Sequence, residues 1–102
     1  MTSKIKEAFS KVKTENRKAL ITYIVSGDPD LKTTLSIMHS MVSEGADIIE
    51  LGIPFSDPMA EGISIQKGHE RALESGSSLK DSFSLVRAVS YTHLTLPTIL
   101  LV

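Results

Sequence analysis

Between Ile48 and Gln66 the sequence reads Ile-Ile-Glu-Leu-Gly-Ile-Pro-Phe-Ser-Asp-Pro-Met-Ala-Glu-Gly-Ile-Ser-Ile-Gln, and no other stretch restricts the fold as much. Ile48, Ile49 and Leu51 form an apolar run of the kind found in parallel strands covered on both faces. Glu50 interrupts that run. A carboxylate in such a strand has to be paired, protonated or turned towards a polar cavity. Gly52, Pro54 and Pro58 end the strand, and the loop beyond it carries Ser56, Asp57 and a second acid, Glu61, before a helical pattern starts near Gly62. Two carboxylates therefore flank one loop at a strand's C-terminal end. In parallel α/β folds, ligands bind and chemistry is done at that end.

The flanking sequence supplies the rest of an α/β pattern. Ala19 to Val25 is rich in β-branched and aromatic residues and stops at Ser26-Gly27-Asp28-Pro29, which predicts a first strand and a turn. Asp30 can cap the next helix, expected from about Leu31 to Glu44, with Leu31, Leu35, Met38 and Met41 or Val42 on one face and Gly45 at its C-terminal end. Asp47 to Leu51 is the second strand, so strand, helix and strand make a βαβ unit with a parallel pair. A short amphipathic helix is expected from Lys4 to about Val12, on the spacing of Ile5, Ala8, Phe9 and Val12. After the loop, Ile63, Ile65, His69, Ala72 and Leu73 continue helically to Gly76. Ser78 and Asp81 then begin a capping-box helix whose apolar residues are Leu79, Phe83, Leu85 and Val86.

At 102 residues with 41% hydrophobic content the chain is expected to be one small domain or part of a larger one. Eleven Lys and Arg against twelve Asp and Glu give a net charge of -1, so no bulk field points to nucleic acid or a membrane surface. Cysteine is absent, the first residues lack the apolar core of a signal peptide, and no apolar run is long enough to span a bilayer. A cytoplasmic location is the expectation.

With Ile99 to Val102 as an apolar ending, Ser90-Tyr91-Thr92-His93-Leu94-Thr95-Leu96-Pro97-Thr98 alternates polar and apolar residues, and periodicity alone reads this stretch as a third strand. The same residues resemble a translated sequencing-adapter peptide of the kind found at the ends of truncated environmental sequences. On that reading residues 1–88 belong to the natural domain and residues 89–102 are a foreign tail.

Glu50 reads either as a strand-end acid paired with a nearby Lys or Arg, or as a functional group. A carboxyl in an apolar setting favours its protonated form, which suits a group that must hold and release a proton. Glu61 sits near a helix N-terminus, where acids are stabilised whatever their function. Asp28 and Asp57 read first as turn formers that bond local backbone. His39, His69 and His93 show no metal-ligand spacing and read as ordinary surface or interface residues. No Gly-rich phosphate loop is present, so no cofactor is indicated.

Glu50-Leu51-Gly52-Ile53-Pro54-Phe55-Ser56-Asp57-Pro58, with Ala60-Glu61-Gly62 and Ile65-Gln66 after it, resembles the signature of the tryptophan synthase α chain family, and Ser26-Gly27-Asp28-Pro29 falls where that family has its first-strand loop. The resemblance covers about Lys4 to Arg87. It implies the N-terminal part of a (β/α)8 TIM barrel with an extra N-terminal helix, ending after about two βα units. The activity it implies is cleavage of indole-3-glycerol phosphate to indole and glyceraldehyde 3-phosphate, with no cofactor of the chain's own. The implied partner is a pyridoxal-phosphate β subunit, in an α2β2 tetramer, that receives the indole.

Carried over residue by residue, Glu50 matches the catalytic glutamate that protonates the indole ring at the carbon bearing the glycerol chain. Glu61 matches the second acid, usually aspartate, which meets the indole nitrogen as positive charge develops there. Tyr23 matches an aromatic position that contacts the ring, and Ile65 matches a pocket-wall position. Pro54, Phe55, Ser56 and Asp57 match part of the surface that meets the β subunit. Two residues depart from the family: Glu61 is one methylene longer than aspartate, and Ile63 stands where proline is common. A whole barrel of this kind needs about 250 residues and builds its phosphate site after strands seven and eight. The chain is therefore expected to be an inactive fragment of a lyase. The rival reading is a non-catalytic module that docks a β-type partner through the loop after the second strand. A different phosphate-binding barrel enzyme would require another arrangement of acids.

Overall fold

The expected βαβ unit is present. Strands β1 (Ile21–Val25) and β2 (Ile48–Gly52) pair in parallel, with Ile21 opposite Ile48 and Tyr23 opposite Glu50. This computed structural model describes residues 4–56, 62–92 and 98–102. Its other elements are α1 (Lys4–Thr14), α2 (Leu31–Ser43), α3 (Ile63–Glu74), α4 (Leu79–Thr92) and β3 (Thr98–Leu101). A parallel pair cannot be closed by a hairpin, and α2 provides the crossover from β1 to β2. β3 joins the other edge of β2, also in parallel, so the sheet order is β1-β2-β3.

Local chemistry sets the element ends as the sequence predicts. Asp30 Oδ1 accepts the Thr33 N–H at 2.7 Å and caps α2. Gly45, just past the last turn of α2, has φ +100°, a conformation that a side chain would strain. Before α4, the Ser78 N–H donates to Asp81 Oδ2 at 2.9 Å while the Asp81 N–H donates to Ser78 Oγ at 3.3 Å, a reciprocal capping pair.

The core lies between one face of the sheet and α2 and α4. Ile49, Leu51, Met38 and Val89 are fully buried there, with Leu85 beside them and Ile24, Leu35, Ile99 and Leu101 packed around. α1 lies at the opposite end of the strands from their C-termini. The Thr98 hydroxyl, at the start of β3, donates to the Lys4 carbonyl at 3.1 Å. Arg17, just past α1, makes a two-pronged contact with Asp47, just before β2, at 2.9 and 2.8 Å.

At three places the structure adds to these expectations or departs from them. α4 turns Ser82, Leu85 and Val89 inward, at helical spacing, and leaves Leu79 and Phe83 more than half exposed. Ser82 takes the inward place because its hydroxyl reaches the buried Ser26 Oγ at 2.7 Å. The Asp28 N–H closes the turn onto the Val25 carbonyl at 3.2 Å, but its carboxylate, expected to bond local backbone, is held by Arg71 of α3, 43 residues away. Finally, α4 runs on to Thr92, so residues 90–92, which periodicity read as strand, are helical, and Thr98–Leu101 forms β3. Parallel pairing needs backbone groups and an apolar run, and Thr98-Ile99-Leu100-Leu101 supplies both whatever its origin. Residues 93–97, within the adapter-like motif, lie outside the described residues.

Candidate active site

Side chains alternate across a strand, and Ile49 and Leu51 are committed to the helical core. Ile48, Glu50 and Gly52 therefore face the other way, onto the sheet's concave side in a barrel. The register sets Tyr23 of β1 and Leu100 of β3 on either side of Glu50. Glu50 is half-buried between two fully buried neighbours. Among the described residues no Lys or Arg pairs with it.

Tyr23 leans towards the strands' C-terminal end, over Gly52. A Cβ on Gly52 would lie 2.8 Å from Tyr23 Cζ and closer still to its hydroxyl, so only glycine leaves room for the ring at this place. An aromatic ring and a half-buried carboxylic acid thus share one sheet face. Such a pair can hold a flat apolar ligand and exchange a proton with it.

At the end of the ladder between β2 and β3, the Ile53 N–H donates to the Val102 carbonyl at 2.8 Å. Pro54 is half-buried, whereas Phe55 is 59% exposed and Ser56 is exposed. The Phe55 N–H donates to His69 Nδ1 at 3.1 Å. Ile65 is half-buried on α3, one helical turn before His69. Asp57 and Glu61 lie outside the described residues, so the Glu50–Glu61 pairing expected from the sequence does too.

The turn after β1 is held by polar groups from three helices: Thr34 of α2, Arg71 of α3 and Ser82 of α4. The Gly27 N–H donates to Thr34 Oγ1 of α2 at 3.0 Å, and Gly27 has φ +90°. Arg71 of α3 donates to both Asp28 oxygens, at 2.6 and 3.0 Å, which raises the guanidinium pKa above its ordinary value. Gly68 allows that approach, since a Cβ there would lie 2.9 Å from Asp28 Oδ2. Arg71 and Ser82 were not among the residues that the sequence marked out, and His69, read as an ordinary surface or interface residue, is instead buried on the inner face of α3. The signal for His69 was its place one turn after Ile65 and three residues before Ala72, on the buried face of α3. Among the described residues no group of His, Asp and Glu could hold a metal ion, and no helix is long and apolar enough to cross a membrane.

Parallel strands with helices on the outer face, a helix at the strands' N-terminal ends and an acid near their C-terminal ends define part of a (β/α)8 barrel. The model of the family described as tryptophan synthase alpha chain matches residues 9–102. The tryptophan synthase alpha chain of Nitrosomonas europaea is 48% identical over 99 residues, covering 97% of this chain and 36% of that one. That of Neisseria meningitidis serogroup B is 52% identical over the same length, covering 97% and 37%. Among solved structures, tryptophan synthase subunit alpha from Legionella pneumophila superposes with a TM-score of 0.92 at 42% identity, over 99% of this chain and 38% of that one. Tryptophan synthase from M. tuberculosis in its aminoacrylate-bound form gives 0.90 at 33% identity, over 98% and 40%. The chain belongs to the tryptophan synthase alpha chain family, and it spans a little over a third of the length of these relatives.

Proposed function

We propose that this chain is the N-terminal portion of a lyase that cleaves indole-3-glycerol phosphate to indole and glyceraldehyde 3-phosphate in tryptophan biosynthesis. The observation that carries the reading is the register of Tyr23 with Glu50 on one sheet face, at the end of the strands where barrel chemistry is done. Tyr23 flanks the indole ring, and Ile65 forms part of the pocket wall. Glu50, as the acid, gives a proton to the ring carbon that bears the glycerol chain. The ring nitrogen gains positive charge, which the carboxylate of Glu61 stabilises. The carbon–carbon bond to the glycerol chain then breaks. Its electron pair returns to the ring, the adjacent hydroxyl becomes the aldehyde, and the proton lost from that hydroxyl replaces the one Glu50 gave. Acid and base of this kind suffice, and the chain needs no cofactor of its own; pyridoxal phosphate would belong to the β partner. A cytoplasmic location suits a biosynthetic role.

The exposed Phe55 favours a second role for the same loop. With Pro54, Ser56 and Asp57 it forms part of a docking surface for a β subunit. In the 102-residue chain docking would persist without turnover, because the phosphate site that anchors the substrate is built by later strands of such a barrel. The test is a chimaera that joins residues 1–88 to the remaining barrel of the N. meningitidis relative. It should release indole from indole-3-glycerol phosphate, while the 102-residue chain should release none above a Glu50→Gln control. An inactive chimaera that folds and binds substrate would refute the lyase reading.

A further inference from the structure

α3 reaches the ends of both strands that carry the site. Arg71 fixes it to Asp28 in the turn after β1, and Ser75 Oγ adds a bond to the Gly27 carbonyl at 3.1 Å. Two residues before Arg71, His69 is 4% exposed, and its Nδ1 accepts the Phe55 N–H. A ring nitrogen that accepts carries no proton, so the neutral imidazole here has its hydrogen on Nε2. Pro54 has no N–H, and the Ile53 N–H is bound to Val102 within the sheet. The Phe55 amide is thus the first donor of the chain beyond the sheet.

Packing alone does not require an imidazole at this place. An aliphatic side chain would fill a buried helix position at a smaller desolvation penalty, but it would leave the Phe55 amide without its acceptor.

We propose that His69 is a positioning residue that fixes the direction in which the chain leaves β2, by accepting the Phe55 amide from a helix itself anchored to the turn after β1. His69 touches no reacting atom. It orients Pro54 and Phe55 five residues or fewer beyond Glu50, and only the catalytic consequence of that orientation rests on the lyase reading.

The test is amide hydrogen exchange and imidazole nitrogen spectra of the 15N-labelled 102-residue chain and two variants. In His69→Asn the side-chain oxygen takes the place of Nδ1. In His69→Gln the amide extends instead to the place of Nε2. The wild-type ring should carry its hydrogen on Nε2, and the Phe55 amide should exchange at least about tenfold more slowly than an unstructured amide. His69→Gln should speed Phe55 exchange on the order of tenfold while the amides of Ile49 and Leu51 stay protected, and His69→Asn should restore most of the protection. An unprotected wild-type Phe55 amide, a hydrogen on Nδ1, or a Phe55 rate unchanged in His69→Gln would each overturn the proposal. If His69→Gln unfolds the chain, seen as lost protection at Ile49 too, His69→Asn decides. Loss of Phe55 protection there with Ile49 intact overturns the proposal, and retention supports it. If both variants unfold, the wild-type tautomer and Phe55 protection decide. No arm depends on turnover, so failure of the lyase reading leaves every outcome interpretable.

Discussion

Asp47 joins three parts of the chain at the strands' N-terminal ends. Its carboxylate accepts two bonds from Arg17, at 2.9 and 2.8 Å, and the Leu20 N–H at 2.8 Å. The Arg17 bonds are the largest cause of a pKa held down from the ordinary 3.8 to about 2, with the Leu20 amide adding to them. Nearly two pH units at about 1.4 kcal/mol each set a ceiling of roughly 2–3 kcal/mol on the charged form's contribution. Arg17 is 38% exposed, so solvent screens the pair, and the expected loss in Asp47→Asn is about 1–2 kcal/mol. A depressed carboxylate contributes fully above its unfolded pKa and loses the contribution as pH falls through the folded value. The difference between wild type and Asp47→Asn should therefore be complete at pH 7, shrink from about pH 4 downward, and vanish below about pH 2. Urea unfolding followed by far-ultraviolet circular dichroism at pH 7, 4 and 2 measures it. Equal midpoints at pH 7, or a difference that persists unchanged at pH 2, would refute the reasoning.

Two further perturbations probe the fold. Leu85→Ala should destabilise by about 2–4 kcal/mol, since Leu85 is 5% exposed, whereas Phe83→Ser, at a position 54% exposed, should change stability by less than about 1 kcal/mol, as thermal melts will show. Deleting residues 98–102 removes one of the two partners of β2, bares the edge that carries Ile49 and Leu51, and should cause concentration-dependent association in sedimentation. A monomeric deletion variant with an unchanged melt would mean that β3 contributes nothing, as expected of a foreign tail.

Local patterns carried much of the fold. The apolar runs of β1 and β2, the Asp30 cap, Gly45 and the Ser78–Asp81 pair each involve residues within a few positions of one another, and all stand as the sequence predicted. Long-range polar pairs could not be read in the same way. Asp28 and Arg71 are 43 residues apart, Ser26 and Ser82 are 56 apart, and neither pair has a periodicity to mark it. That is also why Ser82 did not stand out on α4: Phe83 is the more apolar residue, but the Ser82 hydroxyl is the one that meets the buried Ser26 hydroxyl. At the site, the strand pattern marked Glu50 as a carboxylate that needed explaining, and the fold supplied its direction and its neighbour Tyr23. His69 was visible as a helical-face residue, but the loop amide it accepts is set by the tertiary fold.

The central claim is that Glu50 moves the proton. The most direct measurement is steady-state indole release by the chimaeric full-length enzyme and its Glu50→Gln variant, with kcat and KM determined separately. Gln keeps the side chain's length and hydrogen-bonding reach but cannot give up a proton as a carboxylic acid does. If Glu50 is the acid, kcat falls by roughly 10² to 10⁴ while KM changes little. A Gln variant with near-parental kcat would contradict the account and leave Glu50 as a structural acid on the barrel's inner face.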